Sequence, residues 1–138
     1  MIYKFYDTCS LLLQGQHLFD EENAKVVISS ITLQELENIK NSRNKDENVK
    51  FAARNILNIL NNNIDKYEIH IYQPKMLDKF MQFEESNDIK ILATAFDYDS
   101  YIHPDETVFI TNDLALKAIA NLYFGEDSIQ SVVEEELD

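Results

Sequence analysis

Glycine and proline are scarce in this chain, with two of each in 138 residues. The two glycines, Gly15 and Gly125, stand far apart. No G-x-x-x-x-G-K-S/T loop exists to cradle nucleotide phosphates, which excludes a P-loop ATPase. Collagen-like and low-complexity compositions are excluded as well. The single cysteine, Cys9, cannot form an internal disulfide, so a reducing, cytoplasmic setting is expected. No apolar run approaches the roughly 18 residues of a membrane span. The start, Met1-Ile2-Tyr3-Lys4-Phe5, lacks the charged, apolar and small-residue segments of a signal peptide. Basic residues are few: 12 Lys and Arg against 25 Asp and Glu, a formal net charge of −13. That balance disfavours overall attraction to nucleic acid or to an anionic membrane. What remains, 45% hydrophobic and 27% charged residues, suffices for one packed domain over residues 1–138.

The charge is unevenly spread. Lys40, Arg43, Lys45, Lys50 and Arg54 fall within fifteen residues, opposed only by Asp46 and Glu47. From Glu126 onward there are six acids and no base. A solvated helix face and an acidic tail explain this pattern. So does a basic ridge beside an acidic pocket, the arrangement that suits cleavage of a phosphodiester: cations hold the backbone and carboxylates hold a metal.

Hydrophobic patterning predicts alternating strands and helices. Residues 2–6 read as a strand, followed by a short helix near Ser10–Leu13. Val26-Val27-Ile28-Ser29 is a β-branched run suited to a strand covered on both faces. Ile31 to Lys40 reads as a helix, 41–46 as a polar loop, and Glu47 to Asn63 as a long amphipathic helix. Glu68 to Tyr72 alternates like a strand. Pro74 opens a helix to about Phe83, and Asn87–Asp97 forms another. A loop over 97–106, a strand over Thr107–Thr111, a helix over Asp113–Phe124 and a last strand over Ile129–Val133 complete the order. Such alternation predicts an α/β fold with a parallel sheet of about five strands and helices on both faces. Ligands of such sheets bind beyond the carboxyl ends of the strands, where the strand order reverses.

Four acids fall at that edge. Asp7 follows the first strand and Asp113 the fourth. Glu35 lies one turn into the helix after the second strand, and Asp88 opens the helix beginning at Asn87. Each has a local explanation. Thr32-Leu33-Gln34-Glu35 matches a capping box. Asp88 and Asp113 suit helix starts, and Asp7 suits a turn. Four carboxylates converging without bases would instead require a cation. An all-oxygen set with no His or Cys at ligand spacing selects Mg²⁺ or Mn²⁺ over Zn²⁺. The hydroxyls of Thr8 and Thr111 and the amide of Asn112 could orient water or hold the carboxylates.

At these residues the sequence resembles the PIN domain, a family of metal-dependent ribonucleases. Phe5-Tyr6-Asp7-Thr8-Cys9-Ser10 resembles the opening strand and first acid. The segment from Val26 through Glu35-Leu36 resembles the second motif, Asn87-Asp88-Ile89 through Ala95 the third, and Phe109-Ile110-Thr111-Asn112-Asp113 the fourth. Cys9 stands where Asn or Ser is usual. The stretch Glu35-Leu36-Glu37-Asn38-Ile39-Lys40 and the run Asn112 to Lys117 resemble most the PIN domain that precedes an ATPase in PhoH-like proteins. The resemblance implies a three-layer α/β/α sandwich. It also implies cleavage of single-stranded RNA by Asp7, Glu35, Asp88 and Asp113 through Mg²⁺ or Mn²⁺, leaving a 5′-phosphate. The partners it implies are RNA, a second copy of the chain, and an ATPase domain in a longer protein or the antitoxin of a PIN-type toxin. A non-catalytic binding module is the alternative from another class, supported by the net charge.

The remaining polar and aromatic residues are expected to be structural. His17, His70 and His103 lie in different elements and lack metal spacing. His70 is expected to face outward or cap a layer. Cys9 is expected to be a buried thiol. Tyr98 and Tyr101, placed in the loop, are candidates for base stacking. Glu84, Glu85, Asp97 and Asp99 are expected on the solvated surface.

Overall fold

The computed structural model describes residues 1–133, so residues 134–138 of the acidic C-terminal run lie outside the described residues. Its strands are β1 (Ile2–Tyr6), β2 (Ala24–Ser29), β3 (Tyr67–His70), β4 (Thr107–Ile110) and β5 (Ile129–Gln130). All pair in parallel in the order β3-β2-β1-β4-β5. The register aligns Val27, Phe5, Phe109 and Ile129 in one row across the sheet. Side chains alternate between faces along each strand. That row therefore faces one core, while Tyr6, Val26, Ile28, Val108 and Ile110 face the other.

The first core is closed by α4 (Asn87–Tyr101), α5 (Leu114–Ala120) and a 3₁₀ segment, Pro74–Phe80. The second is closed by α1 (Thr8–Gln14), α2 (Ser30–Asn41) and α3 (Glu47–Asn61). The result is the three-layer α/β/α sandwich, with the helices on both faces that parallel crossovers require. Full burial of Phe5 and Phe109 contributes about 2–3 kcal/mol each. The chain leaves α1 through Gly15, whose φ of 53° lies in the left-handed region that favours glycine.

The element boundaries correct the sequence reading in four places. The helix expected to end at Asp97 runs on to Tyr101, because Leu92, Ala95 and Tyr98 continue its buried stripe. Tyr98 is therefore not a loop residue. It is 2% exposed, its hydroxyl donates to Glu68 Oε2 at 2.5 Å, and its pKa is pushed far up by burial and then by that bond. The segment after Pro74 is a 3₁₀ turn ending at Phe80. Leu77 and Phe80, three apart, point the same way into the core, as 3₁₀ geometry dictates. The fourth crossover helix stops at Ala120, and the chain folds back so that Phe124 stacks on Phe109. The last strand has only two residues. His70 is half-buried: its Nε2 lies 2.7 Å from Asp97 Oδ2, and its ring meets the edge of Tyr98. Asp97 is thus a partner of His70 rather than a solvated acid.

Candidate active site

β1 lies beside β4, and the chain proceeds from β1 to β2 and β3 on one side but from β4 to β5 on the other. The order reverses between these two central strands, so their carboxyl ends open the crevice where ligands of such sheets bind. Asp7 and Asp113 stand at that opening.

Asp7 is 4% exposed and caps α1. The Ser10 N–H donates to its Oδ1 at 2.9 Å, and the buried Thr111 hydroxyl donates to its Oδ2 at 2.6 Å. The same Thr111 oxygen accepts the Asp113 N–H at 3.1 Å, so one hydroxyl ties both acids together. Asp113 caps α5 through the Leu116 N–H at 2.9 Å, and its side chain stays exposed.

Glu35 is not the capping residue its local sequence suggests. The cap of α2 is Ser29, which accepts the Ile31 N–H at 3.1 Å, and Thr32 lies inside the helix. Glu35 Oε1 instead accepts the Thr8 hydroxyl at 2.6 Å. Thr8 Oγ1 lies 3.1 Å from Thr32 Oγ1. Its one proton goes to the carboxylate, so Thr32 completes the chain by donating to Thr8. Asp88 is likewise released from capping, because Ser86 caps α4 by accepting the Ile89 N–H at 3.2 Å.

The four acids share one field. The Asp88 carboxyl is pushed above its ordinary range by partial burial, then by the charges of Glu35, Asp113 and Asp7. Cys9, expected to be buried, is exposed and lies among them. Partial enclosure of its thiol raises its pKa, and then Asp7, Asp88, Glu35 and Asp113 raise it further. A thiol so placed stays protonated at neutral pH, which disfavours it as a nucleophile.

Among the described residues no Lys, Arg or His is ion-paired with any of the four acids. Nor do three His, Cys, Asp or Glu side chains there already close around one point as ion ligands. The site is thus an open acidic mouth with two anchored walls, Asp7 and Glu35. Its donors are carboxylate oxygens without compensating bases, the set that suits a hard divalent cation.

Asn112 does not serve the carboxylates. Its Nδ2 donates to the Val132 carbonyl at 3.1 Å and its Oδ1 accepts the Val132 N–H at 2.7 Å, pinning the chain after β5. The basic segment divides. Lys40 pairs with Glu37 at 2.6 Å and Lys50 with Glu47 at 3.3 Å. Arg43, Lys45 and Arg54 are exposed and have no ion pair among the described residues. Arg43 lies just past the end of α2, the helix that carries Glu35. Tyr101 ends α4 and is 71% exposed.

Sequence reasoning placed Thr32 only in a capping box and Ser29 only in a strand, whereas both are 0% exposed and hydrogen-bonded at the site's edge. The Ser29 hydroxyl donates to Thr94 Oγ1 at 3.1 Å and so fixes the exit of β2 against α4. Ser29-Ser30 ahead of a helix was the available signal for the cap. No sequence signal announced the bond between Thr8 and Glu35. Thr111→Val should lower stability by about 1–3 kcal/mol, because the part-buried Asp113 N–H and the Asp7 carboxylate both lose their partner. Thr111→Ser should restore most of it, as chemical denaturation of the two variants would show.

The family model described as PIN domain matches residues 5–123. No curated protein matches significantly. Among solved structures, one of VapBC2 from Rickettsia felis bound to a DNA fragment from its promoter is similar, with a TM-score of 0.56 and 18% identity. That match covers 94% of this chain and 98% of the other. A domain of a functionally unknown protein from Methanocaldococcus jannaschii is also similar, with a TM-score of 0.62 and 15% identity over 100% of this chain and 97% of that one.

Proposed function

The chain belongs to the PIN-domain family, and from that premise we propose that it is a metal-dependent endoribonuclease acting on single-stranded RNA. The observation that carries the reading is the placement of Asp7 and Asp113 at the β1/β4 reversal, joined through Thr111, with Glu35 held by Thr8 beside Asp7 and no basic counter-charge paired to them among the described residues. In this reading all four acids hold Mg²⁺ or Mn²⁺. When bound, such an ion supplies Lewis-acid polarisation of the phosphodiester and acidification of water.

The chain's own residues do the rest. Thr111 and the Ser10 N–H hold Asp7 in one orientation, and Thr8 holds Glu35. Carboxylates fixed in advance need no reorganisation as the reaction proceeds. Asp88, whose charged form is disfavoured by its neighbours, gains most from a cation. Arg43, Lys45 and Arg54 take the RNA backbone, while Lys40 and Lys50 contribute less because each is already paired.

The first experiment incubates the purified chain with labelled single-stranded RNA and Mn²⁺, beside an EDTA control. Cleavage that EDTA stops is the expected result. A folded sample that shows no cleavage with any divalent metal would leave a binding module as the better account. Replacing Arg43, Lys45 and Arg54 together with Ala should weaken RNA binding. The slope of log K against log salt should fall by about 2, at roughly 0.7 for each phosphate no longer neutralised. An unchanged slope in salt titrations would remove these residues from the RNA path.

The similarity to VapBC2 along nearly the whole chain supports a second reading, in which this is the toxin of a toxin–antitoxin pair. Growth arrest on expression, relieved by loss of an acid at the mouth, would favour it. The PhoH-like subtype, with an ATPase domain as partner, rests on residues 35–40, the charged loop and long helix that follow them, and residues 112–117.

A further inference from the structure

Beside the acidic mouth, the start of α4 and the short α5 flank a groove of about 480 Å³, within the range of small-molecule sites. Phe83, Ile89 and Leu116 give it an apolar floor, and Asp88 and Asp113 belong to its wall, so groove and mouth are continuous. Two further carboxylates line it. Glu85 is engaged by Lys90 at 3.4 Å, whereas Glu84 is exposed and makes no hydrogen bond or ion pair among the described residues.

Resting on the nuclease reading, the geometry points to this groove as the subsite for one unstacked base of the RNA strand, with Phe83 as its platform and Glu84 reading its Watson–Crick edge. The sugar-phosphate backbone is a poor occupant, because the unpaired Glu84 repels it and the nearby Lys90 is already engaged by Glu85. A neutral planar base escapes that repulsion and covers the apolar floor. Single-stranded RNA is read in this way, by stacking on an aromatic ring and by hydrogen bonds to the base edge. A carboxylate only accepts, so it selects the base richest in adjacent donors. Guanine presents N1–H and N2–H side by side and satisfies both carboxylate oxygens. Adenine and cytosine place an acceptor beside their amino group, and uracil places its N3–H between two carbonyls. The groove therefore prefers guanine.

The test measures fluorescence anisotropy of labelled UUGUU, UUAUU, UUCUU and UUUUU with the full chain at low salt in Ca²⁺. UUGUU should bind about tenfold more tightly than UUUUU, the discrimination of one two-point contact to a base edge. Glu84→Gln offers one donor and one acceptor, so it should erase the guanine preference and raise the relative affinity for UUAUU and UUCUU, a change that mere loss of packing would not produce. Glu84 is exposed, so this variant should fold. Equal or unmeasurable affinity for all four oligonucleotides, or a guanine preference that Glu84→Gln leaves intact, overturns the subsite. The readout needs no turnover. A guanine preference in a protein that never cleaves would sink the nuclease reading and keep the groove, and cleavage without base preference would do the reverse.

Discussion

Asp7→Asn is expected to lower metal-dependent cleavage of RNA by about a thousandfold, equivalent to the several kcal/mol that a bound metal contributes to the transition state. The substitution suits the purpose because the asparagine keeps the shape of the side chain. Its Oδ1 still accepts the Ser10 N–H, and its new amide can donate to Thr111 Oγ1, which reverses its role from donor to acceptor. The buried Thr111 hydroxyl hydrogen loses its acceptor in exchange, so stability should fall by no more than about 1–3 kcal/mol. Loss of one negative charge also relieves the repulsion that raises the Asp88 carboxyl. Two measurements separate chemistry from folding: cleavage rates with Mn²⁺, and urea unfolding of both proteins in EDTA. Mn²⁺ should also stabilise the unaltered chain, by mass action, and should stabilise Asp7→Asn much less. Full cleavage by a folded Asp7→Asn protein would remove the acidic mouth as the site of reaction.

Phe109→Ala is expected to cost about 3–5 kcal/mol of stability, a large share of the roughly 5–15 kcal/mol typical of a domain. Phe109 is 0% exposed and sits mid-row between Phe5 and Ile129, with Phe124 stacked over it. Deleting the ring leaves a cavity that a parallel sheet clamped between helices cannot easily close. The effect should also reach the site, since β4 carries Phe109 in its middle and leads directly to Thr111 and Asp113. Cleavage by the folded fraction should fall as the Thr111 anchor loosens. A urea midpoint within about 0.5 M of the unaltered protein (about 1 kcal/mol at ordinary urea slopes) would contradict this account of the core. Tyr101→Ala, at 71% exposure, is the control and should change stability by less than about 0.5 kcal/mol.

The order of strands and helices was legible because each rests on local periodicity. A β-branched run such as Val26–Ile28, or the apolar stripe Ala53, Ile56, Leu60, has one economical fold whatever surrounds it. The errors fell where tertiary packing extends or shortens an element: α4 runs on because Tyr98 has a core to enter, and α5 stops because Phe124 must turn back onto Phe109. The pairing of Lys40 with Glu37 and of Lys50 with Glu47 spans three residues on one helix and was open to reading from that spacing, which a count of bases alone passes over.

The sequence by itself determined the alternation of strands and helices, the four acids at strand exits and helix starts, and the shortage of bases near them. Only the tertiary structure decided what those acids do. Asp7 and Thr111 are 104 residues apart and meet because β1 pairs with β4. Glu35 is held by Thr8 across 27 residues, which takes it out of the capping box its neighbours spell. Cys9 is exposed at the mouth, and Asn112 turns to Val132. The division has a physical cause. Capping and periodicity act within a turn or two and leave their mark in consecutive residues. The bonds that shape this site cross the sheet, and they exist only once the strand order has brought distant residues to one edge.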